Sequence, residues 1–151
     1  MPGLVLAVVF PATRWLLVDA AQRRTAFLRE AVDSLGLAGT VDVLTMRAEE
    51  LGRLPDHRGR YQLAVARGFG QPAVTAECAA PLVEVGGRVV VSEPPEERPE
   101  RWPVEGLAHL GLAPASVVRA AGASFQVLVQ DVPCPERYPR RVGVPEKRPL
   151  F

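Results

Sequence analysis

The chain has 151 residues, 48% of them hydrophobic, and a formal net charge of +1. That is one domain's worth of sequence with enough apolar residues for a core, as a globular protein requires. Its two cysteines, Cys78 and Cys134, lie far apart and outside any CxxC pattern, which excludes a disulfide framework and a structural zinc site.

In chain order, MPGLVLAVVFP comes first. It lacks the charged leader and small-residue cleavage site of a secretory signal. It is also far shorter than the roughly 20 apolar residues that span a bilayer. No other stretch approaches that length, so a cytoplasmic protein without membrane contact is expected. Arg14–Asp19 reads as a buried strand ending in an acid. Ala20–Leu35 reads as a helix whose core face carries Ala26, Phe27, Ala31, Val32 and Leu35, with Gly36 as its stop. Thr40–Met46 is the next strand, Ala48–Leu54 a short helix stopped by Pro55, and Asp56–Arg60 a polar turn. Tyr61–Ala66 is a strand whose last residues look buried. Pro72–Val85 reads as a helix ending at Gly86-Gly87, and Arg88–Ser92 as a strand. Glu93–Pro103 is a proline-rich, charged loop, and Val104–Leu110 a short helix. Ala115–Ala121 and Ser124–Val132 form a hairpin about Gly122-Ala123. The prolines from Pro133 onward forbid regular structure. Strands alternating with helices imply an α/β fold with a parallel sheet, closed by an antiparallel hairpin. Residues 1–133 make the folded domain and 134–151 a basic tail. That tail carries Arg137, Arg140, Arg141, Lys147 and Arg148 against Glu136 and Glu146, while the body is mildly acidic. Such a tail is either a solvated terminus or a contact for a polyanion.

In doubly wound sheets ligands bind at the carboxyl ends of the strands. Asp19 ends the first strand, where an acid accepts hydrogen bonds from both ribose hydroxyls; it also suits the start of the following helix. Ala48-Glu49-Glu50 follows the second strand, with backbone amides placed for an adenine edge, or with acids simply complementing a helix start. Arg67 follows the third strand beside glycines and suits a carboxylate or phosphate. His57 and His109 have neither metal-ligand spacing nor triad partners, Cys78 reads as a small buried hydrophobe, and Glu93, Glu96, Glu97 and Glu100 as a solvated loop. No GxGxxG or P-loop is present.

Four stretches, PGLVLAVVFP with WLLVDAAQRRTAFLREAV, MRAEEL, VARGF and the tail RYPRRVGVPEKRPL, resemble the RsmG (GidB) family. This family methylates N7 of a guanine in bacterial 16S ribosomal RNA. The resemblance spans nearly the whole chain and the later two-thirds of a full-length member. It implies a Rossmann-like class I S-adenosylmethionine-dependent methyltransferase lacking the usual first strand. In it Asp19 faces the cofactor ribose, Ala48 and Glu49 lie beside the adenine, Arg67 contacts the cofactor, and the basic tail meets ribosomal RNA phosphates. Met1 and Gly3 fall where the family's glycine-rich loop ends and are expected near the cofactor's methionine end. No metal and no catalytic base are expected, because guanine N7 attacks with its own lone pair and loses no proton.

Two departures stand out. The glycine-rich loop and first strand precede Pro2-Gly3 in the family. In-frame translation upstream of Met1 is therefore expected to show a strand followed by Asp-x-Gly-x-Gly. Without that strand, the strands ending at Asp19 and Ala66 either close together or leave exposed edges. Family members also carry Lys-Gly where this chain has Glu93, which reverses the charge on the substrate side. The alternatives are a non-catalytic relic or RNA-binding module of the same fold, and a nicotinamide-dependent reductase. The missing dinucleotide fingerprint and the terminal hairpin speak against the last.

Overall fold

The computed structural model describes residues 2–94 and 99–151, so the expectations for Met1, Glu96 and Glu97 lie outside the described residues. The first element is a helix, α1 (Pro2–Val9), which buries Gly3 and Ala7, one turn apart. A Cβ at Gly3 would stand 2.6 Å from Leu17 Cδ2, so the small residue lets the helix lie close on strand β1 (Trp15–Asp19). Leu4 is half-buried against the same cluster. Val5, Val8, Val9 and Phe10 are about half exposed or more. An all-apolar helix laid on one strand can bury only one stripe.

β1 runs parallel to β2 (Val41–Thr45), in register from Trp15 opposite Val41 to Asp19 opposite Thr45. Helix α2 (Gln22–Ser34) buries Thr25, Leu28 and Val32. Phe27 and Leu35, expected on its core face, are instead 56% and 51% exposed. The helix is turned so that the fully buried Thr25 hydroxyl meets the Thr45 hydroxyl at 2.7 Å. This places Leu28 and Val32, rather than Phe27, over Leu17 and Val41. These elements make one compact unit, Met1–Ala48; a second comprises Glu49–Phe151.

The short helix α3 (Ala48–Leu51) leads into the second unit. Its sheet is four-stranded, ordered β3 (Tyr61–Ala66), β4 (Val83–Glu93), β6 (Ala123–Gln130), β5 (Leu112–Ala120). β3 and β4 are parallel, and the other two pairings are antiparallel. Helix α4 (Pro72–Ala79) passes through a 3-10 turn at Ala80–Leu82 into β4. The helix expected to reach Val85 therefore stops earlier, and Gly86-Gly87 lie inside a strand. Pairing jumps from Tyr61 opposite Val83 to Leu63 opposite Arg88, so the residues between form a bulge. Gly86 takes φ +86°, and Gly87 lies against Val83 and the Gln62 carbonyl. Two glycines that resemble a helix stop serve a bulge instead.

The hairpin turns on Ala121 and Gly122, one residue earlier than expected, with φ of 49° and 77°. Two successive positive φ values define the turn that matches strand twist, and alanine tolerates this poorly. Ala121→Gly is expected to stabilise the protein by about 0.5–1 kcal/mol, read as a rise in the urea midpoint at unchanged slope. An unchanged or lower midpoint would show that the turn carries no strain.

Of the two courses expected for the strands ending at Asp19 and Ala66, the structure shows the second: they do not pair. β3 bonds only to β4 among the described residues, so Leu63 is 40% exposed and Ala64, Val65 and Ala66 are half-buried rather than buried. Among the described residues β1 bonds only to β2, and β1 and β3 belong to separate sheets instead of closing together.

The last eighteen residues are not irregular throughout. Helix α5 (Val104–Ala108) precedes β5, and a further turn of helix, α6 (Val144–Lys147), follows Gly143. Tyr138 is 6% exposed and joins the main core with Val89, Trp102, Leu107 and Leu128, while Cys134, Leu150 and Phe151 pack on that core. Among the described residues no helix is long and apolar enough to cross a membrane.

Candidate functional site

In the first unit the parallel register brings the ends of β1 and β2 level, with Asp19 opposite Thr45 and the Met46 amide donating to the Asp19 carbonyl at 3.1 Å. Asp19 Oδ1 accepts the Ala21 amide at 2.8 Å and faces Arg24 Nε at 3.2 Å. Both contacts fall on one oxygen. The carboxylate is thereby fixed at the strand end, ahead of α2, with its side chain 23% exposed. Oδ1 thereby orders the turn into α2. Gly3 has a packing reason of its own in its contact with Leu17. Ala48 opens α3.

In the second unit Glu49 is 5% exposed, and its Oε1 accepts the Gly143 amide at 3.1 Å. Its carboxylate thus reaches the C-terminal segment. Arg67 follows Ala66, which lies opposite Val91. The carboxyl ends of β3 and β4 are therefore level, and an open cleft of about 330 Å³ lies there, lined by Arg67, Phe69, Val91, Glu93, Arg101 and Trp102. Phe69 is 51% exposed. Arg101 Nε donates to Glu93 Oε2 at 2.8 Å. The acid that reverses the expected charge at this place is therefore neutralised by its own partner.

The tail residues divide. Arg140 binds Glu77 from α4: its backbone amide and Nε each lie 2.8 Å from Oε1, and Nη2 lies 2.6 Å from Oε2. Glu77 is fully buried, so the pair is a bidentate bridge in a low-dielectric setting. The same bonds hold the Arg140 guanidinium above its usual pKa, against an opposing effect of burial. Arg140 Nη2 also donates to the Arg148 carbonyl at 2.8 Å. Arg137, Arg141, Lys147 and Arg148 are exposed, and Arg137 lies over the Tyr138 ring, 5.1 Å from its centroid. Burial pushes the Cys134 thiol up to about 11 despite the nearby Arg58, so it is a neutral packing group at physiological pH. Among the described residues no group of His, Cys, Asp and Glu side chains is placed to hold a metal ion.

Sequence reasoning passed over Glu77 and Arg58. Glu77 carried a readable signal: an acid inside the apolar helix PAVTAECA must find a basic partner if it is buried. Arg58 sits in a polar turn and gave none. Its Nη1 donates to the carbonyls of Gly52 and Tyr138, and its Nη2 to those of Cys134 and Pro135, at 2.7–2.9 Å.

A family model described as rRNA small subunit methyltransferase G (GidB) matches residues 1–99. The ribosomal RNA small subunit methyltransferase G of Pelotomaculum thermopropionicum is 35% identical, over 99% of this chain and 65% of the relative. That of Rubrobacter xylanophilus is 36% identical, over 99% of this chain and 61% of the relative. The chain thus spans less than two thirds of the length of these curated relatives. Among solved structures, a 16S rRNA (adenine(1408)-N(1))-methyltransferase variant from Catenulisporales acidiphilia superposes with a TM-score of 0.67 at 18% identity, covering 89% of this chain and 81% of that one. TrmN from Thermus thermophilus gives 0.60 at 22% identity, covering 83% and 39%. At such identities the likeness is one of fold, that of class I methyltransferases. With the family model spanning β1 to β4, the chain belongs to the rRNA small subunit methyltransferase G family.

Proposed function

We propose that this protein acts in S-adenosylmethionine-dependent methylation of N7 of a guanine in 16S ribosomal RNA, in the cytoplasm. The observation that carries the reading is the family match over residues 1–99, which contains Asp19, Ala48, Glu49 and Arg67. The residues present fit such a cofactor. In the first unit the contacts of Asp19 among the described residues fall on Oδ1, and Oδ2 would hold ribose hydroxyls. Ala48, at the start of α3, would lie beside the adenine, and Gly3, with Met1 before it, near the methionine end. In the second unit Glu49 and Arg67 lie within the family match and are further candidates for cofactor contact. The cofactor, when bound, supplies an electrophilic methyl group. Because N7 attacks with its own lone pair, the chain's residues need only hold the base in line and exclude water. Phe69, exposed in the cleft with Arg67, offers a flat ring for a base. Arg137, Arg141, Lys147 and Arg148 would neutralise RNA phosphates.

Titration calorimetry with S-adenosylmethionine tests the reading. Binding is expected for the 151-residue chain, weakened at least tenfold by Asp19→Ala, which removes the hydroxyl acceptor (about 1.4 kcal/mol). No binding by the unaltered chain would favour the second reading, a non-catalytic relic of the fold.

A further inference from the structure

Three side chains outside the tail grip its backbone or its arginine. Arg58 donates to the carbonyls of Cys134, Pro135 and Tyr138. Glu77 accepts the amide and guanidinium of Arg140. Glu49 accepts the amide of Gly143, whose left-handed backbone starts α6. Pro139 and Pro145 are fully buried between these points. The four exposed cations Arg137, Arg141, Lys147 and Arg148 therefore project from a backbone that is fixed at Cys134–Tyr138, Arg140 and Gly143. Arg140 extends the chain of contacts to the last of them through the Arg148 carbonyl.

We propose that Glu77, with Arg58 and Glu49, is a positioning residue for nucleic-acid binding, and that Arg140 is the internal strut of a preorganised phosphate-binding surface rather than one of its contacts. The inference rests on the RNA reading of the tail given above and adds how that tail is held. A flexible basic tail loses backbone freedom when it docks, which weakens binding. Here much of that ordering is complete before the ligand arrives. The partner is a polyanion with regularly spaced phosphates, since the segment presents four exposed cations.

The sign of one effect separates this from simple charge attraction. Glu77→Gln removes a negative charge and on Coulomb grounds strengthens RNA binding slightly. Preorganisation predicts the opposite. Fluorescence anisotropy with a labelled oligouridylate reads both. The unaltered chain is expected to bind with a log–log salt slope near −3, as about four phosphate contacts on a single strand give. Glu77→Gln is expected to bind at least fivefold more weakly, with a shallower slope. Arg140→Lys keeps the charge but loses the fork and the Arg148 contact, and is expected to lose affinity similarly. It serves in place of Glu77→Gln if near-ultraviolet dichroism of Trp102 shows that variant unfolded. Equal or tighter binding by folded Glu77→Gln, or unchanged binding by Arg140→Lys, overturns the proposal. No binding of oligouridylate by the unaltered chain overturns the RNA reading itself, and the positioning role with it.

Discussion

Replacing Arg58 by alanine is expected to cost the second unit about 3 kcal/mol and to lower its melting temperature by roughly 10–20 °C. The guanidinium satisfies four carbonyls, three of them in the tail and one at Gly52. Each bond is charge-assisted, and its loss leaves a part-buried carbonyl without a donor. Lysine at this position keeps the charge, yet its single ammonium cannot fork to two pairs of oxygens, so Arg58→Lys is expected to recover less than half of the loss. Cys134 reports the same event independently. Burial holds its thiol at about 11, above an ordinary value of 9.0, while Arg58 pulls the other way. If removing Arg58 frees the segment, the burial that raises the thiol is lost and its pKa falls toward the ordinary value. The thiolate fraction at pH 8 then rises by about a hundredfold, and alkylation by iodoacetamide quickens with it. If the segment stays docked, losing the cation raises the pKa further and alkylation slows. A variant with unchanged melting and no faster alkylation would show that the tail is held by its apolar contacts alone.

How far all this was legible differs by residue. The strand ending at Asp19 and the strand before Arg67 were readable because each is a brief, largely apolar run closed by a polar residue, a local pattern. Glu77 was readable in principle, as an acid in an apolar helix. The bulge at Gly86-Gly87 was not, because a glycine pair has the same local preference in a helix stop as in a strand irregularity. Only pairing with β3 decides between them. The phase of α2 was missed for a similar reason. Phe27 outranks Thr25 on any hydropathy scale, yet Thr25 is buried because Thr45 supplies a hydroxyl partner across the strand. The tail was misread through its prolines. They do forbid long helices, but Pro139 and Pro145 are among the most deeply buried residues of the unit. Proline density measures the lack of ladder bonds, and tertiary packing is a separate matter. Arg58 shows the limit of local reading: three of its four partners lie 76 to 80 residues away on the chain.

Gly111→Ala is expected to be the most damaging single-methyl change in the second unit, at about 3–5 kcal/mol. Gly111 lies between α5 and β5 with φ +76°, and an added Cβ would collide with the Val132 carbonyl oxygen and stand 2.8 Å from Gln130 Nε2. The left-handed backbone alone costs an L-residue about 1–2 kcal/mol. The collision adds more, because the groups it meets are not flexible ends. The Gly111 carbonyl accepts the Asp131 amide at 2.9 Å. The Gln130 amide, fully buried, is clamped between the carbonyls of Leu110 at 2.9 Å and Val132 at 2.8 Å. Moving Val132 aside opens that clamp and leaves buried amide groups without partners, at about 1–3 kcal/mol. Asparagine tolerates positive φ but carries the same Cβ, so the two contributions can be separated. If strain dominates, Gly111→Asn is far milder than Gly111→Ala; if the collision dominates, as the contacts imply, the two are equally unstable. Chemical denaturation of both variants decides it, and a loss below 1 kcal/mol in each would refute the close approach. The effect reaches past the hairpin. Gln130 ends β6, and the chain from Asp131 onward becomes the segment that Arg58 grips at Cys134 and Glu77 at Arg140. A displaced Val132 therefore shifts the start of the surface carrying Arg137 and Arg141, and Gly111→Ala is expected to weaken oligouridylate binding although it alters no charge and touches no cation.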